Sequence, residues 1–276
     1  MAAYVDLSEL GAVVVKSLSA EPWPGNPEPR LHATAGGGML NSVGLQNPGV
    51  EAWLEEDLPA LRTAGATVVA GIWGRSAEDY EKAARMLASA GPEVVAVEVN
   101  LSCPNLGGDH AMFSASAAGA AAGTAAALAC GRPVWAKLSP AVANLPEIAA
   151  AALAAGAEAV TLVNTMPAMV IDIEQRRPVL GAGGGGLSGS PLHPIAVRAI
   201  WDCRRVLGDI PIVGSGGVGT ADDAVELLLA GASAVQVGTA SFRNPRSTGR
   251  VVRDLRRWCV RHEIASVSEL TGAAHD

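Results

Sequence analysis

The sequence predicts an α/β fold, a (β/α)8 TIM-type barrel, on three observations. Short apolar runs alternate with Ala- and Leu-rich helical stretches along all 276 residues. The apolar runs are continuous, which is typical of strands buried on both faces of a parallel sheet. Three predicted helices end in Ala-Gly-Ala shortly before a strand, and glycine just past a helix supplies its left-handed end. The alternation has no linker and no change of composition, so we expect one domain over residues 1–276.

The predicted elements follow one another as strand and helix. Strands are expected at Ala12–Lys16, Thr67–Ile72, Val95–Asn100, Pro133–Leu138, Ala159–Asn164, Pro211–Ser215 and Ala234–Gly238. Helices are expected at Leu7–Leu10, Val50–Ala64, Glu78–Ala90, Ala115–Cys130, Leu145–Ala155, Pro194–Leu207, Ala221–Ala230 and Ser247–His262. A closed barrel of this type has eight strands, one more than the seven found. We therefore expect the first strand to lie upstream of Met1, and the sheet to be open between Ala12–Lys16 and Ala234–Gly238.

Composition excludes several classes of function. A net charge of −7 argues against a general binder of nucleic acid or anionic membranes. The four cysteines form no CxxC pair and no cluster with histidine, so we expect neither a metal site nor a disulfide framework. The N-terminal residues lack the basic and apolar regions of a signal peptide, and no apolar run approaches the ~20 residues that span a bilayer. We expect a cytoplasmic protein.

Polar residues end four of the seven predicted strands. Lys16 and Asn100 are the last residues of their strands, Lys137 is the last but one of its strand, and Asn164 with Thr165 ends another. One such residue is ordinarily explained by contact with solvent. Because the carboxyl ends of parallel strands share one face of a barrel, four of them indicate a ligand-binding face.

Two loops carry further candidate side chains. Met39–Gly49 is rich in amides and glycines, and Asn100–Asn105 follows a strand and contains Cys103. The other three cysteines fall in helical patterns, whereas Cys103 stands between Ser102 and Pro104. Cys103 is either an inert small hydrophobic residue or a catalytic thiol, and its polar surroundings favour the catalytic interpretation. The polar, glycine-containing segment Pro104–Met112 is predicted to be a lid over the substrate.

Two glycine clusters indicate a phosphate site. Gly214–Gly219 has the spacing GxGxxG after a strand and before a helix, which would also fit a dinucleotide-binding fold. The cluster lies late in the chain and opens no new domain, so a barrel phosphate site shared with Gly238-Thr239 is the better interpretation. Gly181–Gly189 is predicted to be a mobile loop with Gly186–Gly189 at its ordered end, and a plain flexible linker is the alternative for Gly181–Gly185.

Taken together, these stretches resemble the dihydroorotate dehydrogenase family. The similarity runs in order over nearly the whole chain, through LGAVVVK (10–16), GNPEPR (25–30), MLNSVGLQNPG (39–49), NLSCPN (100–105), WAKLSP (135–140), LVNT (162–165), GLSG (186–189), IVGSGG (212–217) and VQVGTA (235–240). The cysteine in NLSCPN is similar to the soluble class of the family. LNSVGLQNPG looks most like the catalytic subunit of the subtype that passes electrons to NAD through an iron–sulfur flavoprotein.

The resemblance implies FMN-dependent oxidation of dihydroorotate to orotate in pyrimidine biosynthesis, and a role for each matching residue. Cys103 would be the catalytic base that takes a proton from C5, and the hydride at C6 would pass to FMN. Substrate would be bound by Lys16, Asn41, Ser42, Val43, Gly44, Leu45, Asn100, Asn105, Asn164 and Thr165. FMN would be bound by Lys16, Asn100, Lys137, Val163, Ser188, Gly189, Gly216, Gly217, Gly238 and Thr239. The resemblance also implies a homodimer and a separate electron-transfer subunit carrying FAD and an iron–sulfur cluster, with no nucleic-acid or membrane partner.

Three features depart from the family pattern. A first strand like NPVxxASG would lie upstream of Met1, His193 stands where relatives often have lysine, and the loop Leu106–His110 lacks a lysine often found there. Two other functions are therefore kept open. One is the oxidation of another dihydropyrimidine by the same fold and flavin, and the other is a catalytically impaired barrel with a binding role.

Overall fold

The computed structural model describes residues 2–102 and 112–275. Its strands are β1 (Val13–Val14), β2 (Leu31–Thr34), β3 (Gly38–Asn41), β4 (Val68–Ile72), β5 (Val94–Asn100), β6 (Val134–Leu138), β7 (Ala159–Leu162), β8 (Met166–Ala168), β9 (Ile171–Asp172), β10 (Arg177–Pro178), β11 (Gly185–Gly189), β12 (Ile212–Ser215) and β13 (Ala234–Gln236). Its α-helices are α1 (Val50–Ala52), α2 (Leu58–Thr63), α3 (Ala77–Leu87), α4 (Ala117–Ala127), α5 (Leu145–Ala154), α6 (His193–Leu207), α7 (Ala221–Leu229), α8 (Thr239–Arg243) and α9 (Ser247–Arg261). A π-helical turn over Trp53–Asp57 joins α1 to α2.

Seven strands form the parallel sheet that the apolar runs predict. Their order is β1-β4-β5-β6-β7-β12-β13, which is also their order along the chain, with every pairing parallel. Each predicted strand is confirmed in this sheet. Among the described residues β1 and β13 pair with one neighbour each, so the sheet is open between them as expected.

Several helices begin at a residue that caps them and end at a glycine. Gly65, Gly156 and Gly231 have positive φ after α2, α5 and α7, which confirms the Ala-Gly-Ala ends. Ser76 and Ser116 cap α3 and α4 through their hydroxyl groups. The helices pack their apolar faces on the sheet and form one large core with Tyr80, Ile72 and Leu138 fully buried.

A second sheet was not predicted. β2, β3, β11 and β8 form a four-stranded antiparallel sheet in the order β2-β3-β11-β8, and β9 pairs with β10 in a short ribbon. The prediction of a loop at Met39–Gly49 is wrong at its start, since residues 39–41 belong to β3. The predicted ordered end of the loop Gly181–Gly189 is confirmed, since Gly186–Gly189 lies in β11 and is hydrogen-bonded to β3 and β8. The prediction of a mobile loop is wrong at Gly185, where β11 begins.

Candidate active site

Asparagines from two parallel strands meet at the carboxyl edge of the seven-stranded sheet. Asn164 Nδ2 donates to Asn100 Oδ1 at 3.2 Å and to Ser102 Oγ at 2.8 Å. Asn100 Nδ2 donates to Ser17 Oγ at 3.2 Å, which places the amide cluster beside the residue that follows Lys16. The structure therefore brings together three of the strand ends that the sequence analysis singled out.

Asn41 and Thr165 extend this cluster toward the antiparallel sheet. The backbone N–H of Thr165 donates to Asn164 Oδ1 at 2.9 Å, and Asn41 Nδ2 donates to the carbonyl of Gly186 at 3.2 Å. A Cβ on Gly186 would lie 2.0 Å from Thr165 Oγ1. Only glycine allows this approach, so Asn41, Gly186 and Thr165 form a continuous wall with Asn164.

The loop Ser42–Leu45 is held in place by residues to which the sequence analysis assigned no role. Trp23 Nε1 donates to the carbonyl of Gly44 at 3.0 Å, and Asn26 Nδ2 donates to Ser42 Oγ at 2.8 Å. A Cβ on Gly44 would come within 2.4 Å of Asn26. Asn47 Nδ2 donates to the carbonyl of Leu45 at 2.8 Å. The loop is therefore held by hydrogen bonds to its own scaffold.

Lys137 lies in a buried polar layer that the sequence analysis missed. Its Nζ is 3.2 Å from Glu98 Oε1 and 3.4 Å from Gln236 Oε1. Glu98 Oε2 accepts from Thr161 Oγ1 at 2.7 Å and from Gln236 Nε2 at 2.8 Å. Glu98 is only 3% exposed, in a strand described as continuously apolar. A charged residue inside the run VVAVEVN was the signal that could have found it.

Three glycine backbones approach one another between the two sheets. A Cβ on Gly189 would lie 2.6 Å from the carbonyl oxygen of Gly37, and one on Gly217 would lie 3.0 Å from that of Gly189. Nη1 of Arg243 is 3.4 Å from the position of a Cβ on Gly37. We call Gly37, Gly189, Gly217 and Arg243 the glycine cradle. Glycine backbone N–H groups and a guanidinium are groups that bind phosphate, so the cradle fits the phosphate end of a nucleotide cofactor.

The remaining predicted cofactor residues border the cradle. Thr239 Oγ1 donates to Ser188 Oγ at 2.8 Å, and Ser188 Oγ donates to the carbonyl of Met39 at 3.2 Å. A Cβ on Gly216 would be 3.6 Å from Val163 Cγ2, whereas nothing lies within 4 Å of one on Gly238. The structure thus gathers the glycine residues and hydroxyls of three segments that are far apart in sequence.

His193 supports the cradle from the start of α6. It is 9% exposed, with Nδ1 2.9 Å from the carbonyl of Gly216 and Nε2 3.0 Å from Glu226 Oε2. The start of α7 contributes differently, because Asp223 Oδ2 accepts from the N–H groups of Gly219 and Thr220 at 3.0 and 2.8 Å. Those two N–H groups are taken by the helix cap, so this loop borders the cradle through Gly217 and its neighbour Gly216.

Cys103 and Asn105 lie outside the described residues, as does the predicted lid Pro104–Met112 except for its last residue, Met112. The other three cysteines, Cys130, Cys203 and Cys259, are buried thiols, and burial raises the pKa of Cys130 and raises that of Cys203 to about 12. Within residues 2–102 and 112–275 no group of three or more His, Cys, Asp or Glu side chains is arranged to hold a metal ion. No helix in the same ranges is long and apolar enough to cross a bilayer.

The fold places this chain among the α/β barrels, which bind their ligands at the carboxyl ends of their strands. Solved structures of DHODH from Eimeria tenella share this fold. The complex with ferulenol superposes with a TM-score of 0.80 over 97% of this chain and 80% of that one, and the ligand-free form with 0.81 over 96% and 82%. Both are 22% identical to this chain, so the likeness concerns the fold.

Comparison with sequence families and with characterised relatives is more specific. The family model for dihydroorotate dehydrogenase matches residues 1–258. A protein of Desulforudis audaxviator named dihydroorotate dehydrogenase B (NAD(+)), catalytic subunit, is 45% identical over 99% of this chain and 89% of its own length. One of the same name from Trichlorobacter lovleyi is 43% identical over 98% and 88%. The chain belongs to the dihydroorotate dehydrogenase family, whose members are oxidoreductases that generally depend on a flavin.

Proposed function

We propose that this chain oxidises dihydroorotate to orotate with FMN as its flavin. The observation that carries the proposal is a continuous wall of amide and hydroxyl side chains at the carboxyl edge of the sheet, in a chain of this family. The wall consists of Asn100, Asn164, Thr165 and Asn41. The dihydropyrimidine ring has both N–H and C=O groups at its edge. Amides supply both donors and acceptors, so they match such a ring better than charged side chains do.

The residues divide between the two ends of the cofactor. The glycine cradle with Ser188 and Thr239 would hold the phosphate of FMN, and Lys137 would lie at its ring. When bound, FMN would supply the acceptor for the hydride that leaves C6 of dihydroorotate. Val163, whose Cγ2 lies 3.6 Å from the position of a Cβ on Gly216, would border the cofactor as well.

Cys103 would act as the base in this reaction. It follows β5 directly after Ser102, whose hydroxyl accepts the hydrogen bond from Asn164. Removal of the C5 proton by Cys103 and of the C6 hydride leaves the C5=C6 double bond of orotate, so atoms and electrons balance. Asn105 and Lys16 would contact the ring or its carboxylate.

The partner proposed for this chain is a separate electron-transfer subunit carrying FAD and an iron–sulfur cluster. The names of the relatives, catalytic subunits of an NAD(+)-linked enzyme, support it. The isolated chain, as a homodimer, is expected to reduce dyes with dihydroorotate but not NAD. Efficient reduction of NAD by the purified chain alone would contradict the need for a partner.

Anaerobic addition of substrates tests the function itself. We expect dihydroorotate to bleach the visible absorbance of the bound flavin and dihydrouracil to leave it unchanged. Bleaching by dihydrouracil instead would favour another dihydropyrimidine as substrate. A purified chain that binds no flavin, or whose flavin neither compound reduces, would favour a binding role.

A further inference from the structure

The polar layer of Glu98, Lys137, Thr161 and Gln236 lies on the inner side of the curled sheet. Glu98 is on β5 and Gln236 on β13, which are four strand positions apart in the order β5-β6-β7-β12-β13. In a flat sheet that separation would be about 19 Å at a strand spacing of ~4.8 Å. The observed distance from Gln236 Nε2 to Glu98 Oε2 is 2.8 Å, so the two side chains meet across the concave face.

Such a layer is unusual for the inside of a barrel, which is ordinarily filled by branched apolar side chains. A carboxylate there loses its hydration, at an effective cost of several kcal/mol, unless hydrogen bonds replace the water. Glu98 accepts three, from Lys137, Thr161 and Gln236. The side chain of Glu98 is 4% exposed and that of Lys137 is 20% exposed. The pair therefore extends from the core toward the carboxyl edge of the sheet, with the Glu98 carboxylate deeper in the core than the Lys137 ammonium.

Lys137 is also tied to the amide cluster through its backbone. Its carbonyl accepts from Leu101 N at 3.3 Å and from Ser102 Oγ at 3.2 Å, and Ser102 Oγ accepts from Asn164. The backbone of Lys137 is thus fixed by the site. The four-carbon side chain of Lys137 has about 2 kcal/mol of rotamer entropy, which an ordered position must overcome. In the described part of the chain, Glu98 is the only charged group that forms an ion pair with its ammonium.

We propose that Glu98 is a positioning residue that holds the Lys137 ammonium at the flavin ring and offsets part of its charge, and so sets the reduction potential of the flavin. The inference rests on the proposed function, which places Lys137 at the ring. Two-electron reduction adds negative charge to the ring system, so a nearby cation favours the reduced form. A carboxylate 3.2 Å from that cation opposes the effect and lowers the potential.

The test compares flavin reduction potentials, measured by equilibration with dyes of known potential, in the purified holoprotein and its variants. Glu98→Gln keeps the shape of the side chain and removes its charge, and we expect the potential to rise. Lys137→Met should lower it, and the double variant should fall between the two. Glu98→Asp keeps the charge and is expected to return the potential toward that of the unchanged protein.

Thr161→Val is the matched control for packing. It removes the hydrogen bond to Glu98 Oε2 while leaving both charges in place, so its shift should be smaller than that of Glu98→Gln. A role of Glu98 confined to folding predicts lower thermal stability with an unchanged potential in the Glu98 and Thr161 variants that bind flavin.

Several results would overturn the inference. One is a Glu98→Gln protein that binds flavin with an unchanged or lowered potential. If Glu98→Gln does not fold, the potentials of Glu98→Asp and Thr161→Val test the inference instead. A shift in potential from Thr161→Val as large as that from Lys137→Met would contradict the inference. If the unchanged protein binds no flavin, the proposed function itself is wrong. If its flavin is reduced normally and the reduction potential does not shift in Glu98→Gln, only this inference is wrong.

Discussion

The parallel and the antiparallel sheet build the site from sequences of opposite character. The seven parallel strands are short apolar runs, four of them followed or ended by the polar residues predicted to bind a ligand, and they bring ionisable and amide side chains to the carboxyl edge of the sheet. The antiparallel sheet is rich in glycine, and β3 and β11 pair although they are about 145 residues apart in sequence. It contributes backbone and two polar side chains, those of Asn41 and Ser188.

This difference suggests a division of roles. Side chains at the parallel strand ends can move protons or stabilise charge, because they carry groups that titrate or hydrogen-bond strongly. The glycines of β11 allow a ligand and neighbouring backbone to approach closely, which concerns binding. Changes near the parallel strands should then alter the rate of chemistry, and changes in the antiparallel sheet should alter affinity.

The largest expected effect belongs to the thiol that follows β5. Cys103→Ala removes the proposed base but no cofactor contact, so flavin should stay bound. Reduction of the flavin by dihydroorotate should slow by about 10²–10⁴-fold in a single-turnover stopped-flow measurement at neutral pH. Cys130→Ala, which removes a buried thiol, is the control and should leave the rate near that of the unchanged protein. Near-normal reduction in Cys103→Ala would exclude Cys103 as the base.

The glycine cradle gives the next largest effect. Gly189 has φ +83° and ψ −165°, a conformation that costs other residues roughly 1–3 kcal/mol, and a Cβ there would lie 2.6 Å from the carbonyl of Gly37. We expect Gly189→Ala to weaken flavin binding by at least about tenfold, as measured by titration of the flavin-free protein.

Gly208→Ala is its matched control. Gly208 has a similar backbone, φ +71° and ψ −143°, but a Cβ there would meet nothing within 4 Å. Both variants should lose thermal stability through strain, and only Gly189→Ala should lose flavin affinity. Equal affinities in the two would show that close approach at Gly189 is not needed for the cofactor.

The parallel sheet was predictable because its signals are local. An apolar run such as residues 68–72, followed by a helix capped by Ser76, can be recognised within twenty residues. The pairing of β3 with β11 depends on contacts between distant segments, and glycine-rich strands have little propensity of their own. The motif in residues 39–49 therefore predicted Asn41 as a site residue, but the strand on which it lies was predicted to be a loop.

The candidate site was predictable where a polar residue ends a strand, and was missed where it lies inside one. Asn100 and Lys137 stand at strand ends, where the fold itself points to function. Glu98 is two residues earlier on the same strand, and its meaning depends on Gln236, which reaches it only because the sheet curls. Arg243 was missed because it follows the predicted cofactor residues in a short helix without a motif of its own.

A moderate effect on binding alone is expected for Asn41→Ala. Asn41 lies on β3, and its loss removes one amide from the proposed substrate wall as well as the bond to Gly186. Because a hydrogen bond contributes roughly 0.5–1.5 kcal/mol, KM for dihydroorotate should rise about three- to tenfold with kcat little changed. Asn144→Ala, at the cap of α5, is the control and should alter only stability. A fall in kcat with unchanged KM would break the proposed division between the two sheets.

The smallest effect concerns a thiol outside the site, and it contrasts with Cys103. Cys203 lies on α6 with no exposed surface, and burial raises its pKa from the ordinary 9.0 to about 12. The neutral thiol is therefore favoured in the folded state. The stability it contributes is fully present below pH 9, decreases as the unfolded thiol ionises, and is lost as the pH rises through about 12.

Between pH 8 and pH 10 the free energy of unfolding should fall by about 1 kcal/mol more in the unchanged protein than in Cys203→Ala. The cavity left by alanine lowers stability equally at every pH, so only the difference between the two slopes reports on the thiol. Urea unfolding at both pH values measures it, and parallel slopes would mean that Cys203 ionises as readily in the folded protein as in the unfolded chain.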